Sequence, residues 1–180
     1  TVTFSDTNTG YAAPWVVPST LNADGNAEVH TVSAPAGAHS ISASYAGDLS
    51  YNPSSAGAVS FAVSKVPTSI SVIPSASSTI GSTISLIAQM VAAVPVNSYT
   101  PSGTVAFTNT SNSTVLGTNI ASNANCSGVT TLCMTGGIDI NSTQLIPGIN
   151  LIVATFSGDN NFKSSGPSPP RDGHLRGELH

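Results

Sequence analysis

The stretch SYAGDLSYNPSS at residues 44–55 has a counterpart further along the chain, TFSGDNNFKSSG at residues 155–166. Both stretches contain an aromatic residue, then Gly-Asp, then a second aromatic residue and serines. A Gly-Asp pair beside aromatic side chains could belong to a catalytic or metal-binding loop, or it could form a turn between two strands. The choice between these interpretations determines most of what the sequence predicts about function.

The similarity extends well beyond the quoted stretches. Residues 37–54 align with residues 148–165 without a gap, 111 positions further along, and residues 1–4 align with residues 104–107, 103 positions further along. Self-similarity at a fixed offset is the signature of a repeated structural module. The eight-residue difference between the offsets places an insertion in the second copy.

Both cysteines of the chain, Cys126 and Cys133, lie in the stretch that contains this insertion. They could form a local disulfide in an exported protein, which would offset the chain entropy of the lengthened loop. They could also be two free thiols. A zinc site is not indicated, because a Cys-x-x-Cys pair would be closer together and no second pair is present.

The repeated Gly-Asp pairs favour a turn. Gly47 and Gly158 can adopt a positive φ, and Asp48 and Asp159 can accept hydrogen bonds from neighbouring backbone amides. The flanking aromatic residues would then point into the core. Calcium bound at the two aspartates is the alternative, but it would need several more oxygen ligands than the sequence identifies.

Alternating apolar residues predict strands along most of the chain. The alternating segments are residues 1–5, 40–45, 59–63, 69–73, 83–90, 104–107, 138–140 and 149–156. Turn-forming Gly, Pro, Asn and Asp residues separate them, and no helical period is sustained over a dozen positions. The sequence therefore predicts an all-β chain folded as a sandwich or a barrel.

Composition narrows the classes of function. Only 7% of the 180 residues are charged, and the four Lys and Arg residues are too few for the basic surface that nucleic acid requires. No segment approaches the roughly 20 apolar residues of a membrane-spanning helix. No P-loop or dinucleotide fingerprint appears. We therefore expect no cofactor, no nucleic acid partner and no membrane span.

The phrase PAGAHSISASYAGDLSYNPSSAGAVSFAVSKVPTSISVIPS, followed by PSGTVAF, resembles bacterial immunoglobulin-like (Big-type) tandem repeats, and the resemblance covers residues 1–167. It implies an immunoglobulin-like antiparallel β-sandwich in two tandem copies, on a secreted or surface-attached bacterial protein. It also implies spacer, adhesion or carbohydrate-proximal roles, with a surface protein or a polysaccharide as the partner.

The two copies depart from this pattern in different ways. From this pattern we expect residues 1–65 to form a copy that lacks its N-terminal strands. Residues 66–167 form a copy that lacks its closing strand, because the corresponding place reads Pro-Pro-Arg-Asp-Gly-His, which cannot form a buried strand. Residues 168–180 are a polar tail, either foreign or natural.

Open sheet edges and uncovered apolar faces favour association. We therefore expect the copies to complete each other, either within the chain or in a homodimer that exchanges strands. Ile149, Leu151 and Val153 support this expectation, because they make the predicted strand at residues 149–156 apolar on both faces.

A few residues are candidates for a binding or catalytic site. Trp15 is the only tryptophan and lies close to Tyr11, in a loop without an aromatic counterpart in the second copy. The two rings could stack on a sugar, or Trp15 could cap one end of the core. Hydrolysis would need a cleft where His30 or His39 meets a serine and an acid, and His39, which aligns with Asn150, fits a strand face.

These observations favour a non-catalytic structural or adhesive repeat of an extracellular or surface-bound bacterial protein. A carbohydrate-binding accessory module is the first alternative. An unrecognised hydrolase is the second.

Overall fold

The computed structural model describes residues 1–11, 13–30, 34–73, 79, 81–92, 99–123 and 133–167. The chain divides between Lys65 and Val66 into two compact units, called unit 1 and unit 2 here. The described residues form β-strands and a short 3-10 turn, Ser142–Gln144, so the all-β prediction is confirmed. The strands are β1 (Val2–Asp6), β2 (Val16–Ser19), β3 (Gly37–Tyr45), β4 (Ser54–Val63), β5 (Thr68–Ile73), β6 (Thr83–Ala92), β7 (Thr104–Asn109), β8 (Thr114–Ile120), β9 (Ser122–Asn123), β10 (Cys133–Asn141) and β11 (Ile152–Phe156).

The described residues of unit 1 form a single antiparallel sheet with the strand order β2-β1-β3-β4. Phe4 of β1 lies opposite Val17 of β2 and Ala43 of β3. Because side chains alternate between the two faces of a strand, these residues share one face of the sheet. The same face continues onto β4, where Val59 lies opposite Ile41.

The apolar face of unit 1 remains partly open. Val59 is 67% exposed and Phe61 is 47% exposed. Within the described part of unit 1, the fully buried residues are Pro35 and His39.

Unit 2 is a sandwich of two antiparallel sheets, with the strand orders β5-β6-β10-β9 and β11-β7-β8. Alternate residues of β6 are buried and the residues between them are more exposed, as expected for a strand that covers a core on one side. Leu86 and Met90 of this strand pack in one cluster with Phe107 of β7 and Phe156 of β11. Burial of each such side chain contributes about 1.5–3 kcal/mol.

Equivalent residues of the two repeats occupy equivalent places. β1 pairs with β3 as β7 pairs with β11. Tyr45 lies opposite Ser54 in unit 1, and Phe156 lies opposite Ser165 in unit 2. The pairing register therefore agrees with the sequence alignment of the repeats.

Some strand predictions were incomplete. The alternation did not predict β2, which is short and contains Pro18, or β9, which has two residues. It also missed β8, where Leu116 is buried but Val115 and Ile120 are exposed, so that its apolar residues do not alternate.

The strand predicted at residues 149–156 begins only at Ile152. Ile149 and Leu151 are exposed and precede β11. The side chain of Asn150 bonds back to the backbone of Ile146, which holds this segment in a loop. The expectation of a strand apolar on both faces was therefore wrong for these two residues.

The aromatic residues that follow the Gly-Asp pairs also differ between the units. Phe162 is buried in unit 2, whereas its counterpart Tyr51 is 70% exposed. The prediction that they point into a core was right for unit 2 and wrong for unit 1, because the described part of unit 1 has no opposing sheet for Tyr51 to pack against. Residues 168–180, and with them the predicted place of the missing closing strand, lie outside the described residues.

Candidate functional site

The first Gly-Asp pair forms a tight turn between β3 and β4. Gly47 has a φ of +85°, which glycine adopts without a steric penalty. One carboxylate oxygen of Asp48 accepts hydrogen bonds from the amides of Ser50 and Tyr51 at 2.7 and 2.9 Å. The other accepts from the Tyr45 hydroxyl at 2.5 Å, and this bond lowers the pKa of Asp48. Protein groups thus occupy both oxygens of this carboxylate.

The second Gly-Asp pair has the same geometry. Gly158 has a φ of +73°, and one oxygen of Asp159 accepts from the amides of Asn161 and Phe162, both at 2.8 Å. The other oxygen accepts from the amide of Ser102 at 2.7 Å. The predicted hydrogen bonds from neighbouring amides to the aspartate are therefore present in both copies. Among the described residues, no group of three or more His, Cys, Asp or Glu side chains could hold a metal ion.

A buried ion pair joins β1 to β3 in unit 1. His39 Nδ1 lies 2.5 Å from Asp6 Oδ2, and neither side chain has surface accessible to solvent. On the other side of the imidazole, Nε2 lies 2.8 Å from the carbonyl oxygen of Pro35. An ionised carboxylate and a carbonyl oxygen only accept hydrogen bonds. Both contacts are therefore satisfied together when the imidazole carries a proton on each nitrogen and is charged.

The surroundings of the pair favour its charged form. Burial opposes the charge of Asp6, but hydrogen bonds from His39, from the amides of Asn8 and Ser40 and from the Tyr11 hydroxyl outweigh it and lower the pKa of Asp6 to about 2. Burial likewise opposes the charge of His39. The hydrogen bonds to Asp6 and Pro35 and the negative charge of Asp6 outweigh it, and the pKa of His39 is raised above 6.5.

Unit 2 has an uncharged version of this pair. Asn109 and Asn150 occupy the places of Asp6 and His39, and Asn109 donates to Asn150 at 2.6 Å. Asn150 also donates to the carbonyl oxygen of Ile146, the counterpart of Pro35. The two repeats therefore use the same aligned positions, with an ion pair between β1 and β3 in unit 1 and an amide pair between β7 and the loop before β11 in unit 2.

Asp6 was not among the candidate residues predicted from the sequence. The available signal was its position, since it continues the alternation of Val2 and Phe4 and places an acid on an apolar face. His39 was correctly assigned to a strand face, but its partner was not identified.

The geometry bears on the two histidines proposed for hydrolysis. His39 meets an acid, yet its Nε2 faces the Pro35 carbonyl and not a serine hydroxyl. While it carries the proton that bonds to this carbonyl oxygen, this nitrogen has no free lone pair with which to act as a general base. His30 lies 3.5 Å from Glu28, with both side chains largely exposed.

The structure brings Tyr11 and Trp15 together. Their rings stack with centroids 6.2 Å apart and planes inclined by 23°. The edge of Tyr11 also meets His39, so one side of the aromatic pair is joined to the buried ion pair. Trp15 is half-buried.

Cys133 begins β10 and is buried, and the described residues contain no free cysteine. Cys126 lies outside the described residues. A bridge between Cys126 and Cys133 stays a prediction.

Within the part of the chain that the structure describes, no helix has the length and apolar character needed to cross a membrane.

Comparison with curated proteins and with solved structures gave no match. A family model for the bacterial Ig-like domain (group 3) matches residues 1–64 and 71–170, in agreement with the resemblance inferred from the repeats and with an immunoglobulin-like fold. The chain therefore belongs to the bacterial Ig-like domain family and carries structural Ig-like modules of a bacterial protein.

Proposed function

We propose that the chain serves as a structural and adhesive part of a bacterial surface or secreted protein, and that it performs no chemistry. The observation that carries this proposal is the identical use of Asp48 and Asp159. Both carboxylates are occupied by hydrogen bonds from the turns in which they lie.

The polar residues at the strand junctions support the same proposal. Asp6 and His39 in unit 1, and Asn109 and Asn150 in unit 2, bond to each other and to nearby backbone. Polar side chains used in this way fix the positions of strands, and the surfaces that remain act through shape and contact. The partner would be a surface protein or a polysaccharide.

Antibody labelling of the parent bacterium would test the location. We expect an antibody raised against the purified chain to label intact cells or to detect the protein in the culture medium. Detection only after the cells are opened would contradict a surface or secreted role.

Beads coated with the chain should also adhere to cell-surface proteins or polysaccharides, and uncoated beads should not.

Carbohydrate binding is the second candidate, and the stacked pair of Tyr11 and Trp15 favours it. Stacked aromatic rings offer an apolar surface with a polar edge, which suits a pyranose ring. Because Trp15 is half-buried, only part of its surface is available to a ligand.

The single tryptophan makes this candidate simple to test. If Trp15 contacts sugar, soluble polysaccharides should shift its fluorescence, and Trp15→Ala should abolish retention on an insoluble polysaccharide. Trp15→Phe, which keeps an aromatic ring, should retain part of the binding. Unchanged fluorescence across a panel of polysaccharides, together with no retention on any of them, would remove carbohydrate binding.

The open face of unit 1 motivates the proposed homodimer. Val59 and Phe61 are exposed on the apolar face of the unit 1 sheet, whereas the sheet β11-β7-β8 of unit 2 is covered by the sheet β5-β6-β10-β9. A second copy of the chain could supply strands that cover it. Sedimentation at tens of micromolar should then show a dimer, and a monodisperse monomer would contradict strand exchange between chains.

A further inference from the structure

We propose that the Asp6–His39 pair makes unit 1 a pH-sensitive element, which holds β1, β3 and the Pro35 segment together while the imidazole is protonated and loosens when the imidazole loses its proton. Unit 2, with Asn109 and Asn150 at the same place, lacks this sensitivity. The chain thus contains one module with a titratable junction and one with a neutral junction.

The geometry shows why loss of the proton would loosen the junction. His39 Nε2 donates to the Pro35 carbonyl and Nδ1 donates to Asp6. A neutral imidazole has only one N–H. If the neutral imidazole kept its N–H on Nδ1 and the bond to Asp6, the unprotonated Nε2 would face the Pro35 carbonyl oxygen. Two hydrogen-bond acceptors would then lie against each other in the protein interior. The carboxylate of Asp6 would also lose its opposite charge.

The groups around His39 offer no replacement for the lost proton. Among the described residues, β1 contributes Asp6, and the loop after β1 contributes Asn8 and Tyr11. β4 contributes Phe61, whose ring stacks on the imidazole with the ring centroids 4.9 Å apart. Asp6 is the charged member of this set. Asn8 Nδ2 donates one N–H to the Ala38 carbonyl oxygen at 2.8 Å and lies 3.4 Å from Nε2. Its second N–H offers a neutral ring only a long hydrogen bond, which does not restore the bond from Nε2 to the Pro35 carbonyl oxygen.

The direction of the pH effect follows from the two ionisations. His39 has a raised pKa in the folded chain, so its contribution is complete below about pH 6.5 and is lost as the pH rises through the folded value. Asp6 has a lowered pKa of about 2, so its contribution is complete above about pH 4 and is lost as the pH falls towards 2. Unit 1 is most stable between these two limits.

The chain carries separate reporters for the two units. Its only tryptophan, Trp15, lies in unit 1 and stacks on Tyr11, which bonds to Asp6. Its only two methionines, Met90 and Met134, are buried in the core of unit 2. Trp15 fluorescence and methionine methyl NMR signals therefore follow the unfolding of each unit within the full chain.

We expect urea unfolding of the full chain to distinguish the units by pH. Between pH 6 and pH 9 the urea concentration at the unfolding midpoint, followed by Trp15 fluorescence (the Trp15 midpoint), should fall. The folding equilibrium constant of unit 1 should drop about tenfold per pH unit until His39 has lost its proton. The urea midpoint followed by the methyl signals of the methionines should not show this drop. In the double variant Asp6→Asn with His39→Asn, which carries the unit 2 pair, the Trp15 midpoint should become independent of pH in this range.

His30→Gln is the matched control, because it removes an exposed histidine that pairs with Glu28. It should leave the pH dependence unchanged. NMR of the imidazole nitrogens in the wild-type chain gives a readout that does not depend on whether the double variant folds, and it should show His39 with both nitrogens protonated at pH 6. A neutral His39 at pH 6, a Trp15 midpoint that is the same at pH 6 and pH 9, or an equal drop in the double variant would each overturn the proposal.

Discussion

Replacing Phe107 by alanine is expected to lower the free energy of unfolding of unit 2 by about 3–5 kcal/mol. The Phe107 side chain is fully buried between the two sheets of the sandwich. Its truncation removes the transfer free energy of a phenyl ring and leaves a cavity that β-sheets cannot collapse around completely. Urea unfolding followed by the methyl signals of Met90 and Met134 measures the loss directly.

Phe4→Ala is the matched control, since Phe4 is the unit 1 counterpart of Phe107 and lies half-buried on a partly open face. We expect the free energy of unfolding of unit 1, followed by Trp15 fluorescence, to fall by only about 1–2 kcal/mol. Equal losses for the two variants would show that both faces are covered alike, and would contradict the description of unit 1 as an open sheet.

Gly158→Ala is expected to cost about 3 kcal/mol, from two sources. Gly158 has a φ of +73°, a conformation in which alanine is strained. A Cβ atom would also lie 2.6 Å from the Ser164 amide nitrogen and 2.9 Å from the Phe162 carbonyl oxygen. Because both contacts are to backbone, the turn would have to open.

Gly148→Ala separates the two sources. Gly148 has a similar φ of +92°, but a Cβ atom there would meet nothing within 4 Å. This variant should cost only the conformational strain, about 1 kcal/mol. If Gly158→Ala cost no more than Gly148→Ala, the close approach of the chain at the Gly-Asp turn would not exist in solution.

Much of the fold could be predicted because the repeats determine it locally. The alternation of Ile84, Leu86, Ala88 and Met90 indicated β6, and the aligned Gly-Asp pairs indicated the same turn in both copies. The signal failed where a strand is short or its apolar residues do not alternate, as in β2 and β8. It also failed for Leu151, where apolar residues lie in a loop.

The candidate site was harder to predict, because it depends on contacts between distant positions. Asp6 and His39 are 33 residues apart and meet only when β1 and β3 pair. The alignment of His39 with Asn150 was visible in the sequence. That Asp6 and Asn109 are their respective partners could be recognised only from the pairing of the strands in the structure. The exposure of Tyr51 could not be predicted from the sequence either, because it depends on whether a second sheet covers unit 1.

NMR hydrogen exchange of four turn amides gives the most direct test of the central claim, that the doubled Gly-Asp pair is structural. The amides are those of Ser50, Tyr51, Asn161 and Phe162. In Asp48→Ala the first two should lose protection, and in Asp159→Ala the last two should, with the remainder of the chain folded. If these amides exchanged as slowly in the variants as in the wild type, or if a folded variant lost turnover of a substrate that the wild type converts, the claim would be contradicted.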